Sequence, residues 1–258
     1  MKNSFKQIKK YVIFTAIISF FTFLVFEGQR RSLTNPHNSS LNEYAKVTES
    51  HSVSNKRAIK RSRHSSVRII SFDFHSGMMA TSSATYFTHN ERFYILTTSH
   101  GLMGDCHSIQ IEAAGELFSC LDIVANNELE DYAILEVEEV YNRNPINFPK
   151  HFMRGRLNWN KTLTLTNQTI YTGYPNSIGP LTVGGTIMGF SPQGLIYIQS
   201  YAWSGSSGSG IFDQSGKLFG YILAIDVGQT EFGAAVLENV MIVVPIYKID
   251  WSVIFNKE

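Results

Sequence analysis

A short glycine-rich turn, GSSGSG at residues 205–210, contains the serine best placed for nucleophilic chemistry. Glycine lets the backbone bend sharply and approach a ligand closely, because it carries no Cβ. A serine in such a bend exposes its hydroxyl, so the sequence predicts Ser207 as a nucleophile. The amides of Gly205 and Ser207 are expected to point at one spot and form an oxyanion hole. An inert serine-glycine hairpin loop is the alternative for this stretch, because a short motif is only a hypothesis.

A serine hydroxyl needs a positioned base, and two upstream segments supply the missing groups. His100 ends an apolar strand within TTSHG, and Asp131 begins another within DYAIL. The order His, Asp, Ser is one of the orders known for catalytic triads. We therefore predict that His100 is the base, that Asp131 orients it, and that the fold brings both to Ser207.

Other residues compete for each of these roles. Ser209 is a second serine in the turn, although the spacing of the glycines favours the earlier one. Glu130 and Asp122 lie near Asp131, which is favoured by the Ala-Ile-Leu that follows it. His100 could also be a core histidine, but a strand end beside a glycine is typical of a rim position.

The elements that must position these residues are short strands broken by turns. Before residue 142 the candidate strands are 67–74, 84–88, 93–98, 108–113, 117–124 and 132–137. Short antiparallel strands with tight turns are typical of a closed barrel. Residues 142–160, with Pro145 and Pro149, are predicted to link this barrel to a second one.

A second set of β-like segments follows the linker. These segments are 162–166, 168–173, 183–190, 195–200, 210–212, 217–225 and 234–244. Residues 245–255 begin with a proline and space their apolar residues as a helix does, which predicts a short C-terminal helix.

Several segments resemble the trypsin-like serine proteases of the chymotrypsin fold, most closely compact bacterial members such as the glutamyl endopeptidases and Deg-type proteases. TTSHG resembles their T-N-x-H segment, DYAIL their D-L/I-A-I/L-L/V, and GSSGSGIF their G-x-S-G-G/S-P-L/V-F/V. TGYP at 172–175, SGKLFG at 215–220 and FGAAV at 232–236 resemble further segments of the family in the same order. The similarity covers about residues 66 to 255.

The resemblance implies an all-β domain over residues 66–258, built from two six-stranded antiparallel barrels at about 66–142 and 160–248. It implies that His100, Asp131 and Ser207 hydrolyse peptide bonds of protein or peptide substrates in the cleft between the barrels. No metal or organic cofactor is expected.

The resemblance also assigns a specificity pocket. Tyr201 takes the position at the base of the pocket in trypsin-like enzymes, and Ile222 takes that of the histidine by which glutamyl endopeptidases bind a carboxylate. With Leu223 and Ala224 the wall is apolar, so we predict cleavage after apolar residues of small to medium size. A shifted strand register would turn Asp226 into the pocket and change this preference.

Two positions depart from the family pattern. Ser206 stands where vertebrate digestive enzymes have an aspartate that pairs with a new amino terminus, so activation by that route is not expected. Gly210 replaces the usual proline.

The amino terminus carries four lysines before an uncharged apolar run at residues 11–26. The run is short for a spanning helix and long for the core of a signal peptide, and no small-x-small cleavage site follows it. We predict that residues 1–28 are a cytoplasmic tail and signal anchor, with the protease domain on the extracytoplasmic side of a membrane. A cleaved signal peptide, and hence secretion, is the alternative.

Residues 29–65 are rich in Ser, Asn, Lys and Arg and are predicted to be a disordered linker. Its basic run at residues 56–63 is either a solvated tether or a processing site. The two cysteines, Cys106 and Cys120, flank a likely hairpin and are either a disulfide or two buried thiols.

The 258 residues carry a formal net charge of +1, which gives no global field to attract nucleic acid. Two other functions remain open: an inactive, membrane-tethered binding protein on a protease scaffold, and a virus-encoded protease that processes a polyprotein. The oligomeric state is left open.

Overall fold

The computed structural model describes residues 53–74, 76–147, 163–230 and 233–255. Its helices are α1 (Val53–Ser65) and α2 (Ser252–Phe255). The strands before residue 148 are β1 (Ser66–Asp73), β2 (Met78–His89), β3 (Arg92–Thr97), β4 (Ile109–Ala113), β5 (Glu116–Asn127), β6 (Tyr132–Val137) and β7 (Ile146–Asn147). The later strands are β8 (Gln168–Gly173), β9 (Leu181–Phe190), β10 (Ile196–Gln199), β11 (Gly210–Asp213), β12 (Leu218–Thr230) and β13 (Gly233–Pro245).

The first barrel closes in the order β1-β4-β5-β6-β3-β2, with β2 paired back to β1. Its neighbours are antiparallel, and β7 adds a short parallel strand to β2. Alternate residues of β1 point inwards: Val67 and Ile69 are fully buried, whereas Arg68 and Ile70 are partly exposed. Period-two burial of this kind is what a strand with one face on a core requires.

The second barrel closes in the order β10-β13-β12-β11-β8-β9, again with antiparallel neighbours. The prediction of an all-β fold with two closed six-stranded antiparallel barrels is therefore confirmed. One apolar cluster joins the barrels, because Leu96 and Ile134 of the first pack with Tyr171, Ile211 and Tyr221 of the second.

Cys106 and Cys120 form a disulfide with a Cα–Cα distance of 5.3 Å. This selects one of the two states left open by the sequence. The bond joins the turn before β4 to strand β5. Strands β4 and β5 form a hairpin in which Ala113 pairs with Glu116 around a tight turn.

The prediction that residues 29–65 are disordered is wrong for the last part of that segment, which forms α1. Ala58, Ile59, Ser62 and Ser65 are buried, and their three- and four-residue spacing places them on one face of the helix. This face packs mainly against β8. The basic residues at 56–63 therefore lie in a packed helix rather than a free tether, and residues 29–52 lie outside the described residues.

Side-chain hydrogen bonds fix α1 to the second barrel. Ser62 Oγ donates to Thr172 Oγ1 at 2.7 Å, and Arg63 Nη1 donates to Thr182 Oγ1 at 2.8 Å. Arg61 Nη1 reaches the carbonyl of Gly216 at 2.9 Å. A polar segment thus gains helical order from tertiary partners rather than from its own composition.

Two element predictions need correction. The strand expected at residues 162–166 is wrong where it is described, because the Asn167 amide donates to the Thr164 carbonyl and closes a turn, with Thr166 at a φ of +69°. The C-terminal helix predicted over residues 245–255 is shorter: Pro245 ends β13, a 3₁₀ turn spans Ile246–Lys248, and only α2 is α-helical.

The predicted membrane segment at residues 11–26 lies outside the described residues. Within the described ranges, no helix is both long and apolar enough to cross a membrane.

Candidate active site

His100 and Asp131 lie side by side at one end of the first barrel. The β3–β6 register pairs Thr97 with Ala133, so the segments that follow β3 and precede β6 leave the sheet together. Nδ1 of His100 lies 2.6 Å from Oδ2 of Asp131, and the His100 amide donates to Oδ1 at 2.9 Å. Since a carboxylate only accepts, Nδ1 carries the proton and Nε2 is left as the acceptor.

The histidine side chain is half exposed, at 51%, and the aspartate side chain is less so, at 22%. The imidazole therefore stays accessible while its partner is largely covered. The loop carrying His100 is held from both sides: Ser99 Oγ donates to Asn126 Oδ1 at 2.6 Å, and Gly101 lies so close to Ser82 that a Cβ would meet it at 2.9 Å.

The turn at residues 203–209 presents Ser207 from the second barrel. The Ser206 amide donates to the Trp203 carbonyl at 2.9 Å, and the Ser209 amide donates to that of Ser206 at 3.1 Å. Gly205 and Gly208 have φ values of +90° and +85°, a conformation that L-residues rarely adopt. The glycines predicted to bend this segment are therefore required by its backbone.

Backbone contacts pin this turn to both barrels. The Ser83 amide, from β2, donates to the Ser207 carbonyl at 3.0 Å, and the Ser83 hydroxyl donates to the Gly205 carbonyl at 2.7 Å. The Gly208 amide donates to the Ile222 carbonyl of β12 at 2.8 Å. The serine turn thus lies where the barrels meet.

The predicted nucleophile and its rival differ in exposure. Ser207 is partly exposed, whereas Ser209 is fully buried. In the described part of the chain, the amides of Gly205 and Ser207 donate to no acceptor. Over the same ranges, Ser207 Oγ and the His100 ring form no hydrogen bond with each other. The turn therefore places the partly exposed Ser207 beside two amides that are available to a ligand; Ser204, which precedes the glycine-rich motif, is exposed as well.

The rivals of Asp131 do not contact the histidine. The Glu130 carboxylate lies 3.7 Å from Lys248 Nζ, and Asp122 is an exposed residue of β5.

The predicted pocket residues lie in different settings. Tyr201 is 56% exposed and its ring stacks on Trp203, with centroids 6.0 Å apart, so it is not the floor of a closed pocket. The resemblance assigned this residue by its distance from the serine and did not predict the exposure of its ring. Ile222 is buried, Leu223 is partly buried, and the side chain of Ala224 lies outside the described residues.

Residue spacing did not identify Ser83 or Tyr221, although both contact the site. Ser83 bonds the serine turn, and the Tyr221 hydroxyl lies 3.3 Å from the Asp131 carbonyl. Their contacts depend on how the barrels dock, and no local pattern marks them. No group of His, Cys, Asp and Glu side chains in the described ranges is arranged to hold a metal ion.

A family model described as "Trypsin-like peptidase domain" matches residues 82–220, which is more than half of the chain. This range contains His100, Asp131 and Ser207. No curated protein matches the chain at a significant level.

Solved structures share the fold. The serine endoprotease from Yersinia pestis superposes with a TM-score of 0.60 at 19% identity, covering 81% of this chain and 69% of that one. The active form of the Rv3671c protease from M. tuberculosis gives 0.56 at 16% identity, with coverages of 75% and 80%. The HtrA-type protease AlgW, solved with a tripeptide, gives 0.54 at 17% identity; 73% of this chain covers 58% of that one.

Proposed function

We propose that the chain, which belongs to the trypsin-like peptidase family, is a serine endopeptidase that uses His100, Asp131 and Ser207. The observation that carries the proposal is the double hydrogen bond from His100 to the Asp131 carboxylate, at 2.6 and 2.9 Å. It fixes both the tautomer and the orientation of an exposed imidazole, which is what a general base requires.

In the proposed reaction, the Ser207 hydroxyl attacks the carbonyl carbon of the substrate peptide bond. Nε2 of His100 takes the hydroxyl proton and then delivers it to the leaving amine, which breaks the C–N bond and leaves an acyl-enzyme. Water activated by the same imidazole hydrolyses the ester and restores the serine. Asp131 stabilises the imidazolium that forms at each stage.

The amides of Gly205 and Ser207 are proposed to bind the oxyanion of each tetrahedral intermediate. Support comes from the turn itself, since these amides have no acceptor among the described residues and flank the exposed hydroxyl. Fixed donors of this kind stabilise charge that develops only during the reaction, and each contributes about 10²–10³ in turnover.

For the substrate, we propose a preference for apolar side chains before the cut. Leu223 is the partly buried apolar residue of the predicted pocket on β12, beside the buried Ile222, and an unpaired charge buried against it would lose its hydration. Digestion of a peptide library, analysed by mass spectrometry, tests this preference; dominant cleavage after Arg, Lys or Glu contradicts it.

The proposed chemistry is tested by labelling with a fluorophosphonate probe and by peptide hydrolysis. Wild type is expected to label, and Ser207→Ala and His100→Ala are expected to lose both labelling and hydrolysis while remaining folded. Asp131→Asn should lose about 10⁴-fold in turnover through the wrong tautomer.

Ser209→Ala and Asp122→Asn are the matched controls, because the first removes a buried hydroxyl and the second an exposed carboxylate that does not contact His100. Both should label at the wild-type rate. Failure of folded wild type to label would contradict the proposal, as would labelling that survives Ser207→Ala and disappears in Ser209→Ala.

A further inference from the structure

Tyr221 makes a contact between the barrels that the proposed reaction leaves unexplained. It lies on β12 of the second barrel and is fully buried. Its hydroxyl donates to two carbonyls of the first barrel, those of Glu130 at 3.2 Å and Asp131 at 3.3 Å. The tyrosine therefore reaches from the strand behind the nucleophile turn to the backbone of the aspartate.

Support of this kind matters for Asp131 because its backbone has an uncommon conformation. Its φ is +51°, in the left-handed region, which residues other than glycine adopt rarely and which aspartate tolerates better than most. Contacts that select this conformation also set the direction of the carboxylate. From this conformation its carboxylate accepts from both the amide and the ring of His100.

The residue next to Tyr221 holds the nucleophile turn. The carbonyl of Ile222 accepts from the Gly208 amide at 2.8 Å, and its amide donates to the Ser209 carbonyl at 2.9 Å. Two consecutive residues of β12 thus contact the two halves of the site. A single strand sets the position of the aspartate turn relative to the serine turn.

The Tyr221 hydroxyl is suited to a permanent donor role. Both of its partners are carbonyl oxygens, which only accept, so the hydroxyl must keep its proton to bond them. Burial, followed by the nearby charges of Asp131 and Glu130, raises the pKa of Tyr221 far above its ordinary value. The contact therefore persists at any pH at which a histidine base works.

We propose that Tyr221 is a positioning residue that holds the Asp131 turn, and through it the imidazole of His100, in register with Ser207. The role rests on the proposed peptidase activity, because it concerns the same triad. It assigns to the second barrel a part in orienting a histidine and an aspartate that both belong to the first.

The test compares Tyr221→Phe with Tyr86→Phe. Both changes remove one hydroxyl from a buried tyrosine, and the Tyr86 hydroxyl accepts from the Val140 amide at 3.0 Å within the first barrel. Each variant is titrated to completion with a fluorophosphonate probe, so that kcat is expressed per competent site and loss of folded protein is removed from the comparison.

Tyr221→Phe is expected to lower kcat by about ten- to a hundred-fold, as misplacement of a catalytic group does, with KM changed less than about twofold. The acid limb of the kcat/KM profile should move to lower pH, because the imidazolium loses part of its interaction with the carboxylate. Tyr86→Phe should keep the wild-type kcat and pH profile.

A wild-type kcat and pH profile in Tyr221→Phe overturns the inference, as does an equal fall in both variants, which would indicate a general effect of a lost buried hydroxyl. If the chain were not a serine endopeptidase, the result would differ, because wild type itself would neither react with the probe nor hydrolyse peptides.

Discussion

At Gly208 the two barrels approach as closely as the backbone allows. A Cβ at this position would lie 2.1 Å from the Ser83 carbonyl oxygen and 2.4 Å from Thr97 Oγ1, and φ is +85°. The carbonyl cannot move without disturbing β2, whose Ser83 amide bonds the Ser207 carbonyl. The close packing of the two barrels, the left-handed backbone conformation and the position of Ser207 therefore all depend on the absence of a Cβ at Gly208.

Three glycine-to-alanine substitutions separate these effects. Gly77→Ala meets a positive φ with no atom within 4 Å and should cost roughly 1–2 kcal/mol. Gly184→Ala has neither penalty and should change the free energy of unfolding by less than about 0.5 kcal/mol. Gly208→Ala combines strain and clash and should exceed the about 3 kcal/mol that bounds most substitutions.

Urea denaturation gives the three free energies. A Gly208→Ala variant as stable as Gly77→Ala would mean that the serine turn can shift away from β2, and the close approach would then carry no energetic weight.

At the level of single residues, the sequence was most informative where chemistry is local. The glycines around Ser207 and the strand end before His100 are visible in a few adjacent letters, and Nδ1 of His100 lies 2.6 Å from the Asp131 carboxylate in the structure. The contacts of Ser83 and Tyr221 come from the docking of separate barrels, and the exposed ring of Tyr201 is stacked on Trp203. Neither has a signal in residue spacing.

At the level of secondary structure, helix α1 carries a titratable side chain, His64, where the helix contacts Asn144. The His64 carbonyl accepts from the Asn144 amide at 3.0 Å, and its Nδ1 lies 2.7 Å from Asn144 Nδ2, which donates. Burial, followed by the positive charges of Lys60, Arg143 and Arg63, lowers the pKa of His64 below 6.5. The folded protein therefore favours the neutral ring.

Because the folded pKa of His64 is the lower one, its contribution to stability is full above the unfolded pKa and is lost as pH falls through the folded value. We expect the melting temperature to drop between pH 7.5 and pH 5, and to drop less in His64→Gln, which cannot gain a proton. Differential scanning calorimetry at both pH values measures this. An equal drop in the two proteins would show that other groups cause the acid sensitivity.

The disulfide should contribute more than any single hydrogen bond of the first barrel. It closes a loop with a sequence separation of 14, for which chain entropy gives about 3 kcal/mol. The double variant Cys106→Ser with Cys120→Ser should lose about that much stability in urea, and a reducing agent should have the same effect on wild type. Equal stability of oxidised and reduced protein would contradict this expectation.

Most strands were predictable as short apolar segments bounded by turn residues, and Tyr132–Val137 and Gln168–Gly173 end where the sequence indicated, although both are buried along nearly their whole length. The failures have identifiable causes. Residues 162–166 alternate like a strand, but the turn closed by Asn167 interrupts them. Helix α1 was missed because its order comes from partners more than a hundred residues away, such as Thr172 and Thr182.

For the molecule as a whole, the resemblance to trypsin-like serine proteases is confirmed by the family match and by the shared fold. The strand pattern indicated a first barrel and a linker to a second one, but it gave seven segments to the second set, and the number of six strands in that barrel came from the resemblance. Identities of 15–19% to the solved structures show how much sequence the fold tolerates.

We propose that residues 11–26 anchor the chain in a membrane, with the peptidase domain on the extracytoplasmic side, because lysines precede this apolar run. The full-length chain should remain in the membrane pellet after carbonate extraction. The double variant Ile18→Arg with Phe21→Arg should be released, since each arginine at a helix centre costs about 2.5–3.5 kcal/mol. A shortened soluble chain would instead indicate a cleaved signal peptide, and a soluble full-length chain would exclude both.

Helix α1 also determines how the domain responds to a pull on its amino-terminal side. The helix is bonded laterally to the second barrel through Ser62 and Arg63, whereas β1, which follows it, belongs to the first barrel and is paired on both edges. Tension applied ahead of the helix is borne first by its side-chain hydrogen bonds, including that of Arg61 to Gly216, and by the packing of Ala58 and Ile59. The load then passes to the β1 ladder, so we expect helix α1 to detach under tension before the barrels unfold.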